Sequence, residues 1–79
     1  RRYARSIFLR ANVKGGEVIE PHHIQVVRPG HGIAPQFYQD VVGRKAIQDL
    51  KRGNPLLPGS VEGGDESGFR VVYEEPVNE

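Results

Sequence analysis

The feature that most constrains this 79-residue chain is a short motif that it carries twice. Val13-Lys14-Gly15-Gly16-Glu17-Val18-Ile19-Glu20-Pro21-His22-His23-Ile24 aligns, at an offset of 37, with Leu50-Lys51-Arg52-Gly53-Asn54-Pro55-Leu56-Leu57-Pro58-Gly59-Ser60-Val61. Lys, Gly and Pro recur outright, and three apolar positions recur in character. Each copy reads as strand, turn, strand, because glycine supplies the backbone freedom a tight turn needs. Two such units predict a pseudo-twofold β module folded over itself. They are too few for a solenoid, which needs at least three repeats.

Length and composition narrow this further. A chain of 79 residues is one domain with a small core. It has no cysteine, so disulfide staples and thiolate metal sites are excluded, and a reducing, cytoplasmic setting is expected. No apolar stretch approaches the roughly 20 residues of a membrane span. Arg1-Arg2 precedes only a short mixed segment, so no secretory signal is read. Charge is uneven. Residues 1–61 carry ten Lys and Arg against four Asp and Glu, a net +6, whereas residues 62–79 carry a net −5. This describes either an affinity for an anionic partner or a self-screened surface, the commoner case for charge of this size.

In chain order, Ser6 to Val13 alternates as a strand, with Ile7, Leu9, Ala11 and Val13 on one face. Glu20-Pro21-His22-His23 reads as a single helical turn with Pro21 first. Gln25 to Arg28 reads as a second strand. Pro35 opens a short helix whose apolar stripe pairs Phe37 with Val41 and Tyr38 with Val42; Gly43 ends it, and Arg44 and Lys45 follow where cations favour the negative helix end. Arg44 to Leu50 is expected as a third strand, with Ala46, Gln48 and Leu50 on one face, and Pro55 to Pro58 as an extended piece. Residues 62–79 read as an acidic, Gly-rich, flexible tail with an optional further strand over 69–73.

One segment stands out chemically: Val26-Val27-Arg28-Pro29-Gly30-His31-Gly32-Ile33-Ala34-Pro35. Pro29 lacks an N–H and stops the strand, while Gly30 and Gly32 permit left-handed or tightly bent backbone. The result is a guanidinium at a strand end beside an open loop, where its fixed donors suit a carboxylate, phosphate or carbonyl oxygen. His31 between the glycines is the histidine most suited to a functional contact. A surface arginine before an ordinary turn is the competing interpretation. Elsewhere the chemistry is thin. There is no phosphate-binding loop and no G-x-S-x-G elbow. The adjacent His22 and His23 point about 100° apart on a helical turn and make poor joint metal ligands. Arg44-Lys45 and Lys51-Arg52 can meet phosphates, yet no aromatic residues interleave with them, so nucleic-acid binding is not the expected role. No complete catalytic set can be assembled.

The order of these pieces resembles a known family. Arg5-Ser6-Ile7, Val13 to Ile19, Val27 to Pro35, Val41 to Ala46 and Lys51 to Leu56 resemble, in unbroken order over about residues 5–61, the antifreeze-like (SAF) domain found at the C-terminus of sialic, pseudaminic and legionaminic acid synthases. The resemblance implies a mostly β, compact β-clip fold of short strands, one short helix and single helical turns, occupying residues 1–61. It also implies a parent enzyme in which a (β/α)8 barrel binds a divalent metal such as Mn or Mg and condenses phosphoenolpyruvate with an N-acylated sugar such as N-acetylmannosamine. In that layout the small domain caps the barrel of the other subunit of a homodimer. The arginine of its R-P-G motif, here Arg28, contacts the sugar's N-acyl group, and Gly30, His31 and Gly32 line the same loop. The domain carries no cofactor of its own and no turnover alone. A free-standing carbohydrate-binding or assembly module of the same fold is the alternative. The fold also resembles type III fish antifreeze protein, but Lys14, Glu17, Glu20, His22 and His23 place charge where ice binding needs a flat, mostly uncharged patch.

Overall fold

β1 (Ser6–Leu9) follows the alternation of its sequence, with Ile7 and Leu9 inside and Phe8 half-buried. The computed structural model describes residues 4–28 and 30–73. β1 pairs antiparallel with β2 (Ile24–Val27), Leu9 opposite Ile24 and Ser6 opposite Val27. Elsewhere the described chain is extended but pairs one residue at a time, through bridges Phe8–Pro55, Val13–Leu50, Val18–Lys45, Ile33–Val71 and Ala46–Val61. This compact, mostly β arrangement with one short helix and isolated 3-10 turns fits the expected β-clip.

The repeat is written into the backbone. Val13 and Leu50, the first residues of the two copies, exchange both hydrogen bonds: the Val13 N–H donates to the Leu50 carbonyl at 2.9 Å and the Leu50 N–H to that of Val13 at 2.7 Å. Around this pair, bonds recur when each residue is replaced by the one 37 positions away. Leu9 N–H to Asn54 carbonyl answers Ala46 N–H to Glu17 carbonyl, at 2.8 Å in both cases. Leu56 N–H to Ile7 carbonyl answers Ile19 N–H to Arg44 carbonyl, both 2.9 Å. Even side chains match: Asn12 Oδ1 accepts from the Arg52 amide at 2.8 Å, and Asp49 Oδ1 accepts from the Gly15 amide at 2.9 Å. The two turns share their left-handed residue, Gly16 at φ +94° and Gly53 at φ +93°. Both copies then place a proline first in a 3-10 turn, Pro21–His23 and Pro58–Ser60.

The helix begins as predicted and is shorter than its stripe suggested. A 3-10 turn over Pro35–Phe37 runs into α1 (Tyr38–Val41), and Gly43 at φ +99° ends it. Arg44 folds back to donate from Nε to the Asp40 carbonyl at 2.7 Å, satisfying a carbonyl of that last turn. The third strand does not form. Lys45, Ala46 and Leu50 pair with Val18, Val61 and Val13 respectively, so the chain changes partner before a ladder can build. Ala46 and Leu50 face inward, but Gln48 is exposed, because the segment bends between them.

One cluster of Ile7, Leu9, Val13, Ile19, Ile24, Ile33, Val41, Ala46, Leu50, Leu56 and Val61 makes the core, with Phe37, Tyr38, Val42 and Phe69 against its rim. The acidic stretch after Val61 carries a 3-10 turn at Gly64–Glu66 with Gly64 buried. Phe69 packs on Phe37 at 5.3 Å between ring centroids and lies under the Arg44 guanidinium at 4.8 Å. Residues 74–79 of the expected tail, and Pro29, lie outside the described residues. Among those described, no helix is long and apolar enough to cross a membrane.

Leu56 is fully buried and its neighbour Leu57 is 43% exposed. Leu56→Ala is therefore expected to cost about 2–5 kcal/mol in urea unfolding and Leu57→Ala less than about 0.5 kcal/mol. Equal losses would contradict the register of the second copy.

Candidate functional site

Under the loop that follows β2, three fully buried residues close a ring of backbone hydrogen bonds. The Ile7 N–H donates to the Ile33 carbonyl at 3.0 Å, Ile33 to Leu56 at 2.9 Å, and Leu56 back to Ile7 at 2.9 Å. Each donor and acceptor in this ring is satisfied away from water, which fixes the loop's inner end. At its outer end the His31 N–H donates to Ser6 Oγ at 3.1 Å, and Ser6 is itself buried within β1.

Close approach is what demands glycine in this loop. Gly32 has no positive φ, so of the left-handed or tightly bent backbone expected there the left-handed form is absent. Gly32 lies against the hydrogen-bonded ring, and a Cβ on it would sit 2.7 Å from the Leu56 carbonyl oxygen and 3.2 Å from that of Ile7. Gly30 is wedged between side chains, its Cβ position 2.5 Å from Val72 Cγ1 and 3.0 Å from the Ala4 Cβ. Both are buried because close packing leaves no room for a side chain.

The outcome is a loop whose backbone turns inward at Gly30 and Gly32 while Arg28 and His31 are exposed. Arg28 stands just past the Ser6–Val27 pair, and with Arg5, Val26 and Val27 it lines an open depression at the end of the two-stranded sheet. Two guanidinium-bearing residues beside two valines suit a ligand that offers oxygen acceptors beside apolar carbon. The sequence reading singled out Arg28, Gly30, His31 and Gly32, which share this loop. It missed Arg5 and Ser6, which reach the same place from β1 and its approach. Only their position in Arg5-Ser6-Ile7 carried a hint.

Other candidates are structural in character. A depression over the repeat seam is lined by Asn12, Val13 and Lys14 and by their equivalents Asp49, Leu50 and Lys51, but the Asn12 and Asp49 oxygens hold backbone amides. His23 accepts the Glu20 amide on Nδ1 at 3.0 Å, and His22 Nδ1 lies 3.7 Å from a Glu20 carboxylate oxygen, a neighbour the sequence reading had not assigned. Among the described residues no three His, Cys, Asp or Glu gather where they could hold a metal ion. The donor set of the described residues does not fit a divalent cation.

The model of the SAF domain family matches residues 4–62. The chain is 37% identical over 60 residues to a pseudaminic acid synthase of Campylobacter jejuni serotype O:2, covering 76% of this chain and 18% of that protein. A pseudaminic acid synthase of Helicobacter pylori is 36% identical over 60 residues, covering 76% and 18%. An N,N'-diacetyllegionaminic acid synthase of Legionella pneumophila is 36% identical over 58 residues, covering 73% and 16%. The chain thus spans less than a fifth of the length of these relatives.

The ring beneath the loop makes Gly32 the sensitive position. Gly32→Ala should cost about 1–3 kcal/mol in denaturant unfolding, because only backbone atoms can yield. Gly59→Ala, whose nearest contacts would be ordinary at 3.7 Å, should change stability by less than about 0.5 kcal/mol. A tolerated Gly32→Ala would contradict the close packing.

Proposed function

The chain belongs to the SAF domain family, and from that premise we propose that it is the lid domain of a nonulosonic acid synthase, positioning the acceptor sugar while another domain performs the chemistry. The relatives' names include pseudaminic and legionaminic acid synthases, and this supports a parent that condenses phosphoenolpyruvate with an N-acylated sugar. The observation that carries the reading is Arg28, exposed at the end of β2 beside a loop whose backbone is tied down at Ser6, Ile7 and Leu56.

In this mechanism Arg28 donates to the carbonyl oxygen of the sugar's N-acyl group. The guanidinium offers donors in a planar fork and keeps its charge, so the hydrogen bond is directional and strong. Because the loop cannot relax, the contact fixes the sugar's orientation instead of merely adding affinity. His31, on the same loop, offers a second polar contact, and Gly30 and Gly32 let the loop lie close against the core beneath it. Capping the site also excludes water from the reacting groups. The catalytic acid–base groups and a divalent ion such as Mn or Mg belong, on this reading, to a barrel domain outside this chain, contributed by the other subunit of a cytoplasmic homodimer.

The test is Arg28→Ala in the full-length protein. Losing a hydrogen bond from a charged donor costs about 1.5–3 kcal/mol, so kcat/KM for the N-acyl sugar should fall roughly 10- to 100-fold, with KM for phosphoenolpyruvate unchanged. Arg28→Lys should recover only part, since an ammonium lacks the fork. An unchanged kcat/KM for the sugar would remove Arg28 from the site.

A further inference from the structure

The family match stops at residue 62, yet the chain beyond it returns to the candidate site. The Ala34 N–H donates to the Arg70 carbonyl at 2.8 Å, the Val72 N–H donates to the Gly32 carbonyl at 2.8 Å, and Val71 bridges Ile33. Val72 covers Gly30 so closely that a Cβ there would lie 2.5 Å from Val72 Cγ1. The loop is therefore clamped on two sides, by Ile7 and Leu56 within the family match and by residues 70–72 outside it.

We infer that residues 70–72 are a built-in strap that positions the loop bearing Arg28, with Val72 as the positioning residue. The Ile33–Val71 bridge and the Ala34–Arg70 bond lie one residue either side of the 37-residue offset. The strap thus comes from the part of the second repeat equivalent to the segment it holds, and the pairing, like that of Val13 with Leu50, is centred on the 37-residue offset, although here the hydrogen bonds flank the Ile33–Val71 bridge. The repeat therefore runs past Val61 and closes on the site. Without the strap, the Ala34 N–H and the Gly32 carbonyl lose their partners, and Gly30 loses the side chain packed over it. Val72 acts through Gly30 and touches no ligand itself.

The strap's catalytic consequence rests on the acceptor-site reading, but its mechanical consequence does not, so the test reads both. In the full-length protein, Val72→Ala should speed hydrogen exchange in the peptide spanning residues 30–36 by about tenfold and leave residues 44–53 unchanged. KM for the sugar should rise roughly fivefold while kcat changes less than about twofold. Val72→Thr, which keeps the branched shape, should stay near wild type in both. Gly30→Ala should also loosen the loop, and adding Val72→Ala to it should restore part of the protection, a coupling expected only of residues in contact. The strap is overturned by unchanged exchange at residues 30–36 in Val72→Ala, by an equal rise at residues 44–53, or by no relief in the double variant. Faster loop exchange in a protein that condenses no N-acyl sugar would sustain the strap and overturn the synthase reading. Unchanged exchange in an active synthase would do the reverse.

Discussion

The structure depends on the reciprocal hydrogen bonds between Val13 and Leu50. They join equivalent residues of two copies of one motif, and the bonds around them obey the same exchange. This addresses a difficulty of size. A chain this short cannot build both a large sheet and a deep core, and buried backbone groups must still find partners. Here each extended piece pairs briefly with one neighbour and then another, so that a few short crossings satisfy the backbone around a single apolar cluster. The two Gly turns, at Gly16 and Gly53, return the chain on itself at equivalent points.

The copies share backbone but differ in chemistry. The position equivalent to Arg28 is Asp65, and that equivalent to His31 is Gly68. One copy thus presents a cation on its loop while the other supplies much of the support: Leu56 beneath the loop, and residues 70–72 beside it. A functional side chain placed on so small a domain gains precision from such division, because packing holds the loop independently of any ligand. Arg5, Val26 and Val27 line the open depression beside Arg28 at this edge of the sheet.

How much of this was legible in the sequence depends on how local its cause is. The repeat, the Pro-first turn at Pro21, the end of the helix at Gly43 and, of the face Ile7, Leu9, Ala11 and Val13, all but the half-buried Ala11 were readable, because neighbouring residues determine them, whereas the turn that Pro58 opens had been expected as extended chain. The expected strand from Arg44 to Leu50 was not realised, since its partners alternate between two separate parts of the chain, residues 13–18 and Val61. The glycines of the loop were read as left-handed or tightly bent backbone and not as points of close approach. Their need arises from Leu56 and Val72, distant in sequence, and no local pattern encodes that contact. Arg28 was visible because its motif is contiguous, whereas Arg5 and Ser6 join it only through the pairing of β1 with β2.

The measurement that tests the central claim most directly is a crystal structure of the full-length protein with an N-acylated sugar bound as the proposed acceptor. The account predicts the Arg28 guanidinium within about 3 Å of the acyl oxygen, with the loop at residues 30–34 in the backbone conformation described above. A sugar bound away from Arg28, or reached only after that loop had rearranged, would contradict it.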